Sequence, residues 1–483
     1  MINGNLIIRS TVKVMYVAVV ITTVLSSALI TSCNDDENKQ TEAVLSDAEK
    51  SELLERAYVY TLPLMLMDAT YVKMTNTVDT VPQQSPANRF IHARKLANAK
   101  FKDVVTPNSD TNYSQVMMDL SGDALVIRLP HTDRFCMAEI LDAWSNCIAA
   151  PDATTISGEY GDFVFVGPRF NGMVPEGMTV IKSPTDHVWM LLRTLCMGED
   201  DLPNVRAIQN QMKTYLLSDY LNGMKEYAGK GTYDEANNFT PVEHVLRMPM
   251  AEFFTRANTL MLTNPPAEAD AQWIADLSKI GVGPGLDFDA SVFGDNAAAL
   301  WRNLVSNIMN ITQPRCMQFV QNNGQWRFYG EPIAEFGTEY YYRAMIAVAA
   351  LAANPVNIAV YPRADIDSEG DTLNGNHRYR LHIDAENWPE TNAYGFWSIT
   401  MYDKENFFYD NELDRYNITD RSNFVKNQDG SLDIYIQNEK PDENESNWLP
   451  APSDKFHLYF RIYNPVERIT KNQWVMPVIT RLD

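Results

Sequence analysis

Thr106–Ser114 reads TPNSDTNYS, a nine-residue stretch that packs Pro, two Asn, Asp, Thr, Tyr and Ser ahead of an apolar run. Pro107 suits the second position of a turn, and Asn108 and Asp110 are residues that form Asx-turns and cap a following strand. The turn therefore opens a β region. Downstream, ALVIRLP, RFCMAEIL, DFVFVG, MTVIKS and HVWMLLRTLC are short, rich in β-branched and aromatic residues, and separated by Gly, Pro, Asp and Asn. Such runs predict antiparallel strands. No helix-length period lies between consecutive strands, which argues against a doubly wound parallel sheet.

Upstream of the turn, Ser46 and Glu49 form a capping-box pattern for a helix carrying Leu53, Ala57 and Tyr60, with Pro63 expected to kink or end it. Between Glu199 and Pro355 the apolar spacing is helical, from LPNVRAIQNQMKTYLL to TEYYYRAMIAVAALAANP. Strand patterns return in HRYRLHIDA, GFWSITMYD, SLDIYIQNE and KFHLYFRIYNP. The expected fold is mainly β with a helical insert: two antiparallel β-sandwich or jelly-roll domains joined by an α-helical segment. The expected boundaries are an N-terminal helical region at 46–100, a β-sandwich at 101–198, the helical segment at 199–355 and a jelly-roll-like domain at 356–483.

The first 32 residues hold Arg9 and Lys13 and then the apolar run VMYVAVVITTVLSSALI, ending in ITSC at Cys33. This pattern predicts a secretory signal over 1–32 with Cys33 as the lipidated mature N-terminus, followed by a polar tether at 33–45. The expected location is the outer membrane, and Asp35, Asp36 and Glu37 resemble a signal for display on the outer surface. Formal net charge is −22, which disfavours nucleic acid, anionic lipid and polyanionic glycans as partners. Cys136, Cys147, Cys196 and Cys316 are too dispersed for a small-domain disulfide framework, so buried free thiols are expected, although Cys136 and Cys147 could face each other across a strand pair.

Several chemistries have no sequence support: there is no GxSxG, HExxH or Walker A pattern. DIDSEGD, Asp365–Asp371, imitates the front of a calcium loop but has Asn376 where a bidentate Glu is required, so a hairpin loop is expected and no metal. His377 and His382 lie on opposite faces of one strand pattern and cannot share an ion. No cofactor is indicated.

TPNSDTNYS, ILDAWSN, GDFVFVGP and HVWMLLRT resemble the bacterial domain-of-unknown-function family 1254, and GNHRYRLHI, GFWSITMYD, RYNITDR, GSLDIYIQ and ESNWLPAP resemble its usual partner, family 1214. The resemblance runs in order from about Leu53 almost to the C-terminus. It implies two sandwich or jelly-roll domains with helices between and around them, and it implies no particular reaction, cofactor or catalytic residue.

Candidate site residues come from two phrases. In ILDAWSN, Asp142, Trp144 and Asn146 alternate and on an extended chain share one face, so a carboxylate, an indole and an amide could hold a sugar or could form a closed network. Asn108, Asp110 and Tyr113 are expected to approach them at one end of the first sandwich. Ligand contacts are then expected from Asn108, Tyr113, Trp144 and Asn146, and any glycoside chemistry from Asp110 and Asp142, which would have to lie about 5–10 Å apart. The function expected is binding of a neutral glycan or glycoconjugate, with processing as its enzymatic version; the alternatives are a noncatalytic envelope scaffold and a hydrolase of esters or amides.

Overall fold

In the computed structural model, residues 45–102 and 105–483 are described, and Ser46–Asp483 forms one compact unit. Cys33, the signal pattern and the tether up to residue 44 lie outside the described residues.

The capping box forms as expected: Ser46 N donates to Glu49 Oε2 at 2.8 Å and Glu49 N donates to Ser46 Oγ at 3.3 Å. The helix it starts, Asp47–Thr75, does not stop at Pro63. Nearly every residue from Leu53 to Ala69 is buried, and this apolar burial outweighs the hydrogen bond that Pro removes. The helix packs against the helices Tyr340–Ala350, Pro241–Arg247, Met250–Leu260 and Ala271–Leu277.

The first half of the chain carries two facing sheets. One orders the strands Phe90–His92, Thr111–Asp119, His187–Leu195, Cys136–Asp142 and Cys147–Ala149, all antiparallel. The other orders Thr179–Lys182, Tyr160–Val166, Leu125–Pro130 and Lys213–Leu216, in which only the first pair is parallel. Val116, Met118, Ala138, Ile140, Met190 and Leu192 of the first meet Leu125, Ile127 and Phe165 of the second in one core. The opposite face of the first sheet, with Met117, Leu141, Trp189 and Leu191, packs on Met67 of the long helix and on Ala352.

In the C-terminal half, the sheet Val320–Asn323, Trp326–Tyr329, Arg363–Ala364, Phe456–Pro465, Thr391–Asp403 and Asn417–Thr419, to which Ala359–Val360 adds, faces a four-stranded sheet containing Tyr379–Ile383 and Leu432–Gln437. Trp397, Ile399, Met401, Leu458, Phe460 and Ile462 point into the core shared with Leu381, Ile434 and Ile436.

Helix makes up 30% and strand 26% of the described residues, so the expected antiparallel sheets are present and are combined with many helices. The interval 199–355 is likewise not purely helical. Within LPNVRAIQNQMKTYLL the helix Leu202–Gln209 ends and Lys213–Leu216 becomes the edge strand beside Leu125–Arg128. Met212, Tyr215 and Leu216 satisfy a helical spacing, but pairing with an exposed sheet edge wins. DIDSEGD is a hairpin as expected: Ile366 bridges Thr372, and Asp367 Oδ1 accepts from the backbone N–H of Glu369 at 2.9 Å and Asp371 at 3.1 Å. All four described cysteines are free thiols. Among the described residues no helix is long and apolar enough to cross a membrane.

Candidate functional site

Alternation within two strands of the C-terminal half sets up the site. While Trp397, Ile399 and Met401 enter the core, Ser398, Thr400 and Tyr402 point the other way, as do His457, Tyr459, Arg461 and Tyr463 on the neighbouring strand. This second face is polar and aromatic, yet Ser398, Thr400, Tyr402, His457, Arg461 and Tyr463 are all buried. What covers it is the TPNSD turn. Tyr402 Oη donates to the Pro107 carbonyl, Arg461 Nη2 to the Thr106 carbonyl at 3.2 Å, and Asn108 Nδ2 to Tyr463 Oη at 2.7 Å. Asp110 accepts from Ser398 Oγ at 2.6 Å and Asn417 Nδ2 at 2.9 Å, with Arg421 Nη2 at 3.4 Å.

The turn is thus the joint between the two halves. Asn108 does form the expected Asx-turn, accepting from Asp110 N–H at 2.6 Å. Asp110, only 1% exposed, spends its carboxylate on the opposite sheet instead of on its own backbone.

The expected meeting of Asp110 with Asp142 does not occur. Asp110 lies beside Cys196, whose N–H donates to its carbonyl, while Asp142 pairs with Val188 on the same strand. Eight residues of strand at about 3.3 Å each set the two carboxyls at opposite ends of the sheet, roughly 25 Å apart, so they cannot flank one bond. Asp142 turns inward to accept from Trp144 N–H and from the side chain and backbone of Asn146. Burial pushes its carboxyl above the usual range. Trp144 is 4% exposed, its ring 4.9 Å from that of Tyr60 and 5.3 Å from the Arg343 guanidinium. Tyr113 packs near Arg193, with 5.5 Å from guanidinium to ring centre. Asp142, Trp144 and Asn146 form a closed network, and Asn108 and Asp110 a closed joint.

At the edge of that joint, however, a cleft of about 520 Å³ opens between the halves. One wall is Thr132–Phe135, Leu195 and the helix residues Asn204 and Ile208; the other is Tyr394–Phe396, Asp420 and Arg421. The Arg421 guanidinium lies 4.6 Å above the Phe396 ring, which stacks on Tyr463 at 4.4 Å with Phe135 against both. Arg421 is ion-paired with Asp420 on the cleft side and reaches Asp110 behind. Across the cleft Arg134 pairs with Asp201 at 2.5 Å. Asp420 keeps 30% of its side chain exposed. Partial burial pushes its carboxyl up to about 6, Arg421 opposes this, and the negative charge of Asp110 adds to it.

Asp420 and Arg421 belong to RYNITDR but carry no motif of their own, and their nearness to Asp110, more than 300 residues earlier, has no local signature. The signal that could have found the site is the alternation S-I-T-M-Y and H-L-Y-F-R-I-Y: two strands with an apolar face and a second face too aromatic to be left in water. Among the described residues no group of three His, Cys, Asp or Glu side chains is arranged to hold a metal ion.

The family model described as protein of unknown function DUF1254 matches residues 87–216, and that described as protein of unknown function DUF1214 matches residues 358–467. The two matches fall in the order that its phrases imply, and the cleft takes one wall from each matched region. The crystal structure of the VPA0106 protein from Vibrio parahaemolyticus is similar at a TM-score of 0.66 and 22% identity, over 90% of this chain and 100% of that one, a likeness of fold. An uncharacterized protein from Burkholderia cenocepacia aligns over 90% and 94% of the two chains at 10% identity and a TM-score of 0.41. No curated protein matches.

Proposed function

We propose that this protein is a cell-envelope lipoprotein that binds a neutral glycan in the cleft between its two sheet-bearing halves. Within this reading the two pairs of facing sheets are sandwich domains of jelly-roll kind, and Cys33 carries the lipid that holds the chain at the outer membrane.

The observation that carries the reading is the charge balance of the cleft. Each guanidinium that lines it already has a carboxylate: Arg134 has Asp201, and Arg421 has Asp420 and Asp110. A ligand meets oriented donors and acceptors with no guanidinium left unpaired, and the open carboxylate of Asp133 on the wall beside Arg134, an arrangement that suits hydroxyl groups and rejects phosphate or carboxylate. The volume is that of a small-molecule site, and a net charge of −22 keeps polyanions away. Binding is favoured over hydrolysis because glycosidic cleavage needs two carboxyl groups at the bond. Here Asp110 is sealed behind Arg421, Asp420 is tied to the Arg421 guanidinium, and the other lining carboxylate, Asp133, stands 83% exposed to solvent on the opposite wall.

An array of neutral oligosaccharides, probed with the wild type and with Asp420→Asn, tests this. Specific hits that weaken at least tenfold in the variant are expected; a wild type that binds no neutral glycan refutes the reading. Cell fractionation of Cys33→Ala tests the anchor: membrane retention of a processed chain identical to wild type would refute it.

A further inference from the structure

The geometry points to Tyr394 as the aromatic platform on which the cleft's ligand stacks, a specificity-determining residue presented by a β-bulge. The inference rests on the glycan reading above and names the residue that would make that reading selective.

The strand Thr391–Asp403 does not pair evenly with Phe456–Pro465. Thr391 opposes Pro465 and Phe396 opposes Tyr463, so five steps on one strand face two on the other. The surplus residues form a bulge, a device that re-aims side chains at sheet edges and sites. Here it is pinned from both sides. Asn392 Nδ2 donates to the Pro465 carbonyl at 2.9 Å, and Asn464 Nδ2 donates to the Ala393 carbonyl at 3.0 Å. Gly395 is held so close that an added Cβ would stand 2.6 Å from the Tyr463 carbonyl oxygen and 2.6 Å from Thr391 Cβ. Only glycine fits there, and the bulge is locked.

The residue that this lock leaves at the cleft is Tyr394, at φ +61°. A tyrosine in the left-handed region is strained, since its Cβ crowds the backbone, and such strain persists only where the surroundings enforce it. The side chain gains no polar or stacking partner in return. It is 45% exposed, and among the described residues no ring stacks on it and no group hydrogen-bonds its hydroxyl. A strained, half-exposed, unpartnered aromatic in the same cleft as Asp420 and Arg421 supplies a flat aromatic face for a sugar's C–H groups, with acceptors and donors for its hydroxyls on the same lining.

The test pairs stability with binding in Tyr394→Gly, Tyr394→Ala and Tyr394→Phe, using thermal unfolding and isothermal titration with the strongest neutral oligosaccharide from the array. Glycine relieves the backbone strain and alanine does not. Tyr394→Gly is therefore expected to melt at or above the wild type and roughly 1–2 °C above Tyr394→Ala. Both should bind at least tenfold more weakly, and Tyr394→Phe, which keeps the ring, within about threefold of wild type. A midpoint for Tyr394→Gly several degrees below wild type would make the ring a packing element and overturn the inference. So would unchanged affinity in that variant, which would leave the glycan reading standing. A wild type that binds no glycan fails the glycan reading itself and the platform with it.

Discussion

Replacing Asp110 by Asn changes one atom and one charge in the joint between the halves. Asp110 Oδ2 accepts from Ser398 at 2.6 Å, and Oδ1 accepts from Asn417 at 2.9 Å with Arg421 at 3.4 Å. An asparagine can keep its oxygen toward Asn417 and Arg421 only by turning its NH₂ toward Ser398, whose hydroxyl must then accept. The opposite orientation sets NH₂ against the NH₂ of Asn417. In the better arrangement the buried Ser398 O–H loses its acceptor, two hydrogen bonds lose their charge assistance, at about 1 kcal/mol each, and Arg421 loses one of its two carboxylates. The expected loss is about 2–4 kcal/mol. Urea unfolding reads it as a lower midpoint with an unchanged slope. The double variant with Ser398→Ala should fall short of the sum of the singles, because the two share one bond. A loss below about 0.5 kcal/mol, or lost ligand affinity at full stability, would refute the joint and return Asp110 to the role of a site carboxylate.

Trp144→Ala should cost about 3–5 kcal/mol in unfolding free energy, since the indole is buried against Tyr60, and should leave glycan affinity unchanged; titration and urea unfolding check both. Gly395→Ala should destabilise by about 1–3 kcal/mol, measured in the same way, because the new methyl meets backbone that is already pinned. Burial pushes the Glu139 carboxyl from 4.5 up to about 7, against the pull of Arg193 at 3.0 Å. The native state then holds that proton more tightly than the unfolded chain, so this residue's contribution to stability falls as pH rises from 4.5 to 7 and is flat above. Comparing urea midpoints at pH 5 and pH 8 in wild type and Glu139→Gln should show that component of the slope removed in the variant.

Strands were legible wherever their pattern was local: HVWMLLRTL, GFWSITMYD and KFHLYFRIYNP all fall where alternation and β-branching put them. Lys213–Leu216 was not, because a four-residue edge strand inside a helical spacing is identified only by its partner. Pro63 misled for the related reason that local propensity says nothing about how deeply a helix is buried. The chemistry of TPNSD and ILDAWSN was visible as chemistry, but its geometry was not. Both phrases sit on the same sheet, and pairing with His187–Leu195 assigns them to opposite ends. Polar residues in such phrases hydrogen-bond in closed and open sites alike, so sequence could not tell the joint from the cleft beside it.

The central claim is that the cleft between the halves is the ligand site, and a crystal structure with the strongest neutral oligosaccharide from the array tests it most directly. The account predicts a sugar ring in the cleft, with hydroxyls hydrogen-bonded to Asp420 and Arg421 and one ring face against Tyr394. Ordered sugar bound elsewhere on the molecule, with the cleft empty, would contradict it.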